Sequence, residues 1–308
     1  MMESILKSEN LCKAYNNQFA LNNVSMNVQS GDIYGLIGRN GAGKTTLMKI
    51  INRQILPTSG KVWIQDQEMA KNDHFQVRIG TLIEAPGLYM GLTAGQNLEL
   101  KCKLYGIRRD NYIEELLNLV GLPISQVKKK KVKKFSLGMK QRLGLALALV
   151  GDPDLLLLDE PTNGMDPQGI SEFRETILKL NSERHITVVI SSHILGELAK
   201  LTTRIGIINE GTLLKEADME ELNQINQDFI WIKGGDQAQI MAHLQEKLDL
   251  QQIKQVSDSE LRVYEHLDNP SVISHELIRS GILFEQLVVE RASLEDYFIR
   301  LTGGHNNG

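Results

Sequence analysis

The sequence predicts an α/β domain built on a largely parallel sheet, followed by a smaller α+β unit. Two observations carry the first part: three short apolar runs have the length and punctuation of buried strands, and helical patterns alternate with them. A third carries the second part. Residues 1–211 hold 26 Lys and Arg against 21 Asp and Glu, whereas residues 212–308 hold 8 against 17, so the charge turns from +5 to −9 just after Asn209-Glu210-Gly211.

Residues 33–37 read as the first buried strand and 44–52 as the helix after it. A helical pattern at 137–150 precedes the second strand, 155–158; another at 167–180 separates it from the third, 186–190. The polar stretch 212–227 is the expected boundary. Beyond it the order is strand 229–232, helix 237–248, strands 252–256 and 261–265, helix 271–280 and strand 283–289, a βαββαβ succession of ferredoxin-like kind. A last helix is expected from Leu294, Tyr297, Phe298 and Leu301 at helical spacing, with Ser293 and Asp296 as a capping box and Gly303-Gly304 as its stop.

With 308 residues, 42% hydrophobic and 23% charged, the chain is neither disordered nor collagen-like. A net charge of −4 gives no general pull toward nucleic acid. Cys12 and Cys102 alone cannot build a disulfide framework or an all-cysteine zinc site. No apolar run approaches the ~18 residues needed to span a bilayer, and Met1-Met2-Glu3-Ser4 lacks the order of a secretion signal, so a cytoplasmic setting is expected.

Gly38-Arg39-Asn40-Gly41-Ala42-Gly43-Lys44-Thr45 fits the phosphate-binding P-loop pattern between an apolar strand and a helix. Its glycines let backbone N–H groups converge on phosphate oxygens, and the helix N-terminus adds partial positive charge. Lys44 is expected to reach the β- and γ-phosphates and Thr45 to ligate Mg²⁺; Thr46 completes the ATP-binding set. Leu155-Leu156-Leu157-Leu158-Asp159-Glu160 supplies an apolar strand ending in two acids. Carboxylates at a buried strand end are costly unless they coordinate a cation or are hydrogen-bonded, which assigns Asp159 to the Mg²⁺ shell and Glu160 to polarising water.

Phe135-Ser136-Leu137-Gly138-Met139-Lys140-Gln141-Arg142 resembles the signature segment of ATP-binding cassette (ABC) proteins, usually Leu-Ser-Gly-Gly-Gln. Ser136 and Gly138 match; Leu137 and Met139 stand where Gly and Gln are common. From the residues alone Ser136 is a plausible helix N-cap that could face an anion. The resemblance covers roughly residues 5–225 and implies an ATPase of RecA-like core plus helical subdomain at about 86–150, the whole domain being 1–225 and the accessory domain 226–308. It further implies that Tyr15 stacks on adenine, that Asn163-Gly164-Met165-Asp166 crosses to a partner subunit through Gly164 and Asp166, and that His193 senses the γ-phosphate.

Ile83-Glu84-Ala85-Pro86 departs from the family, which commonly places a magnesium-touching glutamine where Glu84 stands. Glu84 keeps a ligating oxygen but brings negative charge to a triphosphate, so metal coordination or protonation is expected to offset the repulsion. Glutamate here, with Ser-Leu-Gly-Met, resembles the exporters that include bacitracin-resistance and lantibiotic-immunity ATPases. The resemblance implies two copies closing head to tail on ATP and Mg²⁺, each nucleotide lying between one Lys44 loop and the other Ser136 segment. It also implies separately encoded membrane-spanning permease subunits that hold the protein on the inner face of the membrane. Competing readings are an importer ATPase with a C-terminal regulatory sensor and a soluble ABC protein acting on ribosomes or DNA; the second lacks the paired cassettes or long coiled-coil insertion usual there. Six lysines among residues 128–134 read first as a solvated basic loop, then as an anionic-lipid or partner contact, and last as a nucleic-acid patch; no nucleic acid is expected. The acidic C-terminal region is open to dimer contacts, permease docking or sensing.

Overall fold

In the computed structural model, which describes residues 3–71, 77–84, 86–225, 227–291, 297–298 and 301, the chain forms two units, Met1–Met219 and Glu220–Gly308. The first opens with β1 (Ser4–Tyr15) and β2 (Gln18–Gln29), then runs through β3 (Ile33–Ile37), α1 (Lys44–Ile51), β4 (Ser59–Ile64), β5 (Gln67–Glu68) and β6 (Ile79–Leu82). Four helices follow: α2 (Ala94–Leu104), α3 (Tyr112–Leu119), the single turn α4 (Ile124–Val127) and α5 (Leu137–Ala148). The unit ends with β7 (Leu155–Asp159), α6 (Pro167–Arg184), β8 (Thr187–Ser192), the short α7 (Leu195–Leu198), β9 (Arg204–Asn209) and β10 (Thr212–Asp218).

Six of these strands form one sheet in the order β10-β9-β3-β8-β7-β6, parallel throughout except for the β9–β10 edge. Every residue of β3, β7 and β8 is buried, the continuous burial expected of a parallel strand covered on both faces. An antiparallel sheet, β2-β1-β4-β5, lies against the same core. Helix α1 is held between them: Leu47, Met48, Ile50 and Ile51 pack with Leu11 and Leu21 of the antiparallel sheet and with Leu36 and Leu157 of the parallel one. The loop before α1 is therefore anchored by a core on two sides.

Within the polar stretch 212–227 expected to hold the boundary, Thr212–Asp218 is an edge strand, where polar side chains are at home because one side faces solvent, and the division between units falls at 219 and 220, inside that stretch and ahead of 225. Helix α8 (Met219–Ile225) follows. The second unit comprises β11 (Phe229–Lys233), α9 (Gln237–Leu248), β12 (Ile253–Ser257), β13 (Glu260–Val263), α10 (Ser271–Arg279) and β14 (Gln286–Glu290). Its sheet runs β12-β13-β11-β14 with antiparallel pairing throughout. Ile230, Ile232, Leu261 and Val263 pack with Ile240, Leu244, Ile273 and Leu277 of the two helices, so period 2 on the strands meets period 3.6 on the helices in one core. Of the expected last helix, Tyr297, Phe298 and Leu301 are helical; Leu294, the capping pair and the stop glycines lie outside the described residues. Among the described residues no helix is long and apolar enough to cross a membrane.

Candidate nucleotide site

Parallel register aligns the carboxyl ends of three central strands: Ile37 pairs with Ser192, and Asp159 with Ser191. The segments that follow, beginning at Gly38, Glu160 and His193, thus emerge side by side at the edge where open α/β sheets bind ligands. Gly43, the N-cap of α1, has φ 108, and a Cβ there would lie 2.6 Å from the Ala20 carbonyl oxygen; only glycine lets the loop turn into the helix at this point. The loop is tied down by Gly211, whose N–H donates to the Ala42 carbonyl at 3.0 Å. Arg39, Asn40 and Gly41 form its exposed rim, Ala42 is buried, and Thr46 is half-buried in the first turn of α1.

Lys44 is only 4% exposed. Its Nζ donates to the Gly38 carbonyl at 2.7 Å and the Arg39 carbonyl at 3.2 Å, and lies 3.0 Å from Glu160 Oε1. A buried ammonium needs such anionic or dipolar partners, and phosphate oxygens in the loop would take the same role. Thr45 Oγ1 donates to Asp159 Oδ2 at 2.6 Å, and Ser191 Oγ donates to Asp159 Oδ1 at 2.7 Å. The Thr45 hydroxyl and the Asp159 carboxylate are two hard oxygen donors in contact, which fits Mg²⁺. Among the described residues no group of three or more His, Cys, Asp or Glu is arranged to hold a metal.

Glu160 joins the rest of the site. Its Oε2 accepts from Asn163 Nδ2 and lies 2.9 Å from His193 Nδ1, while its own N–H donates to Ser191 Oγ at 2.9 Å. Burial opposes its ionisation, but the hydrogen bonds from Lys44 and Asn163 and the Lys44 charge outweigh that, holding the carboxyl below the usual carboxylate range. Its backbone, with φ 45, is in the left-handed region, a strained conformation sustained by these contacts. Ser191, whose one hydroxyl donates to Asp159 and accepts from the Glu160 N–H, ties the two acids together and is missed by the sequence reading; its only signal there is its place two residues before His193 at a strand end.

Glu84 follows β6, the neighbour of the strand that ends in Asp159, and its Oε1 is 2.6 Å from Lys49 Nζ of α1. Tyr15 is exposed at the end of β1 with Lys13 Nζ over its ring at 5.0 Å. Ser136 caps α5, its Oγ accepting from the Met139 N–H at 3.2 Å, and Asp166 caps α6 through the Gly169 N–H at 3.1 Å. Gly164, with φ 75, is closely covered by Leu137: a Cβ there would lie 2.4 Å from Leu137 Cδ2. One loop thus runs from the acid at 160, through Asn163, to the Ser136–Gly138 segment. A second tie is not legible in the sequence: Arg142 of α5 pairs with Glu172 of α6, which also accepts from Gln168 at 2.9 Å.

Residues 21–163 match the ABC transporter family. The chain is 42% identical over 308 residues, the full length of both proteins, to the bacitracin transport ATP-binding protein BcrA of Bacillus licheniformis. It is 44% identical over 225 residues to the lantibiotic transport ATP-binding protein SrtF of Streptococcus pyogenes, covering 73% of this chain and 96% of that one. A dimeric structure of the ATP-binding cassette MJ0796 in a post-hydrolysis state with ADP and Pi superposes with a TM-score of 0.62 at 27% identity, covering 70% of this chain and 98% of that chain.

Proposed function

The chain belongs to the ABC transporter family as an ATP-hydrolysing subunit, and from that premise we propose that it powers export of an antimicrobial peptide of the bacitracin or lantibiotic kind. The observation that carries the reading is likeness along the whole length to a bacitracin transport ATPase, second unit included, whereas likeness to SrtF covers 225 residues of the chain. In the proposed cycle Lys44 and the loop Gly38–Thr46 bind the phosphates, and Tyr15 stacks on the adenine. Thr45 and Asp159 hold Mg²⁺, with Glu84 joining them in the loaded state. Mg²⁺ supplies neutralisation of charge on the phosphate oxygens.

Glu160, held by Asn163 and His193 once Lys44 turns to the phosphates, orients the attacking water and accepts its proton; His193, in contact with Glu160, reports the γ-phosphate. Ser136 and Gly138 of one copy complete the site of another, and Gly164 with Asp166 forms the crossing segment. The physical basis is exclusion of water, which strengthens preorganised donors around the transition state.

The chain would work from the inner face of the membrane through separately encoded permeases. A groove of about 730 Å³ between β6 and the helices supports such docking: it is lined by Ile83, Pro86, Tyr89, Leu100, Leu104 and Tyr105, and Tyr89, Leu104 and Tyr105 are exposed apolar surface. The second unit has the strand order and pairing of a ferredoxin-like domain, which supports that reading of it. Reconstituting the chain with its permeases in liposomes and measuring Mg·ATP hydrolysis with and without bacitracin or a lantibiotic tests the proposal; hydrolysis indifferent to both classes of peptide overturns the cargo assignment.

A further inference from the structure

Glu84 is a third acid at the carboxyl edge of the parallel sheet, after its outermost strand β6. It follows β6, which pairs with β7 up to Leu82 and Leu158, so Glu84 leaves the sheet beside the strand that ends in Asp159. Three acids thus stand at the carboxyl edge of the parallel sheet, and each has its own partner. Thr45 and Ser191 serve Asp159, and Lys44 serves Glu160. Lys49 serves Glu84, at 2.6 Å. Lys49 lies one helical turn beyond Thr45 on α1, the helix whose N-terminus carries the metal-binding hydroxyl.

We propose that Lys49 is a positioning residue that holds the Glu84 carboxylate away from the Mg²⁺ shell until nucleotide and metal are bound, and so sets how strongly nucleotide binding depends on Mg²⁺. The inference rests on the nucleotide-site reading above. Lys49 is 28% exposed and Glu84 62%, so the pair is loose enough to be exchanged. Glu84, with φ 60, is kept in a left-handed backbone at the head of a segment whose Pro86 packs on α5, where a Cβ on Gly144 would lie 2.7 Å from Pro86 Cβ. Without Lys49, the negative charge of Glu84 faces a metal-free triphosphate unopposed, while its oxygen is freely available once Mg²⁺ is present. Both effects widen the gap between affinities measured with and without the metal.

The test is fluorescence titration of the full chain with a fluorescent ATP analogue, in Mg²⁺ and in EDTA, for the parent, Lys49→Met, Lys49→Arg, Glu84→Gln and the Lys49→Met/Glu84→Gln double variant. The ratio of the two affinities is expected to rise about twofold to fivefold in Lys49→Met, in keeping with a partly exposed ion pair. It is expected to stay parental in Lys49→Arg, and adding Lys49→Met to Glu84→Gln is expected to leave the ratio of the Glu84→Gln variant unchanged. An unchanged ratio in Lys49→Met, or an equal rise when Lys49→Met is added to Glu84→Gln, overturns the inference while leaving the nucleotide site intact. A parent chain with no Mg²⁺-dependent affinity overturns both.

Discussion

Lys44 Nζ stands 3.0 Å from Glu160 Oε1, joining the phosphate loop to the acid at the end of β7. Neither group is well solvated, at 4% and 17% exposure, so each serves as the other's counter-ion when no phosphate is bound. Nucleotide binding therefore asks Lys44 to exchange partners and leaves Glu160 to Asn163 and His193.

Glu160→Gln should preserve Mg·ATP binding and lower turnover by about 10²–10⁴-fold, the span of general-base catalysis. Equilibrium binding with single-turnover hydrolysis checks this, and size-exclusion chromatography in ATP should find the variant accumulating as a dimer. Lys44→Ala should instead weaken ATP binding itself by about tenfold or more, the effect of losing a hydrogen bond to a charged group.

Ser191→Ala removes the donor to Asp159 and the acceptor for the Glu160 N–H together. A loss of about 1–3 kcal/mol in unfolding free energy is expected from the buried groups left unpaired. Thermal or urea denaturation measures it. A stability equal to that of the parent would show that water replaces the hydroxyl without cost.

Because Glu160 is held below the usual carboxylate range in the folded chain, its contribution to stability is full above its unfolded value and is lost as pH falls through the folded value. The acid limb of the kcat/KM profile, which reports the free enzyme, should accordingly fall below about 4.3, the ordinary glutamate value, where it belongs to Glu160. Asn163→Ala should move that limb upward, since one of the stabilising hydrogen bonds is removed. Stopped-flow hydrolysis in short pH jumps reads it without prolonged exposure to acid.

Gly164→Ala should cost about 1–2 kcal/mol for the left-handed backbone and drive Leu137 aside. Binding of ATP to the single chain should be spared and dimer-dependent turnover reduced. Leu137→Gly in the same chain should recover part of the turnover by relieving the contact, and recovery of stability without turnover would assign the contact to packing alone.

The lysine-rich loop lines a cleft of about 570 Å³, and among the described residues Lys128, Lys129, Lys131, Lys133 and Lys134 form no ion pair with an acid. Reversing Lys128, Lys129 and Lys131 to Glu should weaken sedimentation with anionic vesicles relative to neutral ones if the loop meets a lipid surface. Equal sedimentation would leave it a solvated loop.

The residues proposed to carry the chemistry are legible in the sequence because their types and spacing suit phosphate and metal rather than neighbours. Gly38–Thr45, Asp159 and Glu160 fall where strand ends meet helix starts, and the alternating pattern marks those ends. The second unit is legible for a similar reason: its strands and helices are short, amphipathic and separated by turn residues. The β1–β2 hairpin and the helices α2 to α4 escape such a reading. In β1 and β2 the alternation is broken by register shifts, while α4 is a single turn.

Residue order alone points to a glycine loop that would cradle phosphate and to acids that would meet it, since backbone N–H groups, a lysine and carboxylates in that order suit a nucleotide. Which charge answers which is settled by the folded arrangement. Lys49 and Glu84, 35 residues apart, and Ser191 and Asp159, 32 apart, become partners because the sheet stacks their strand and helix ends at one edge. Electrostatic pairing depends on separation in space, and that separation is set by packing that no local pattern records.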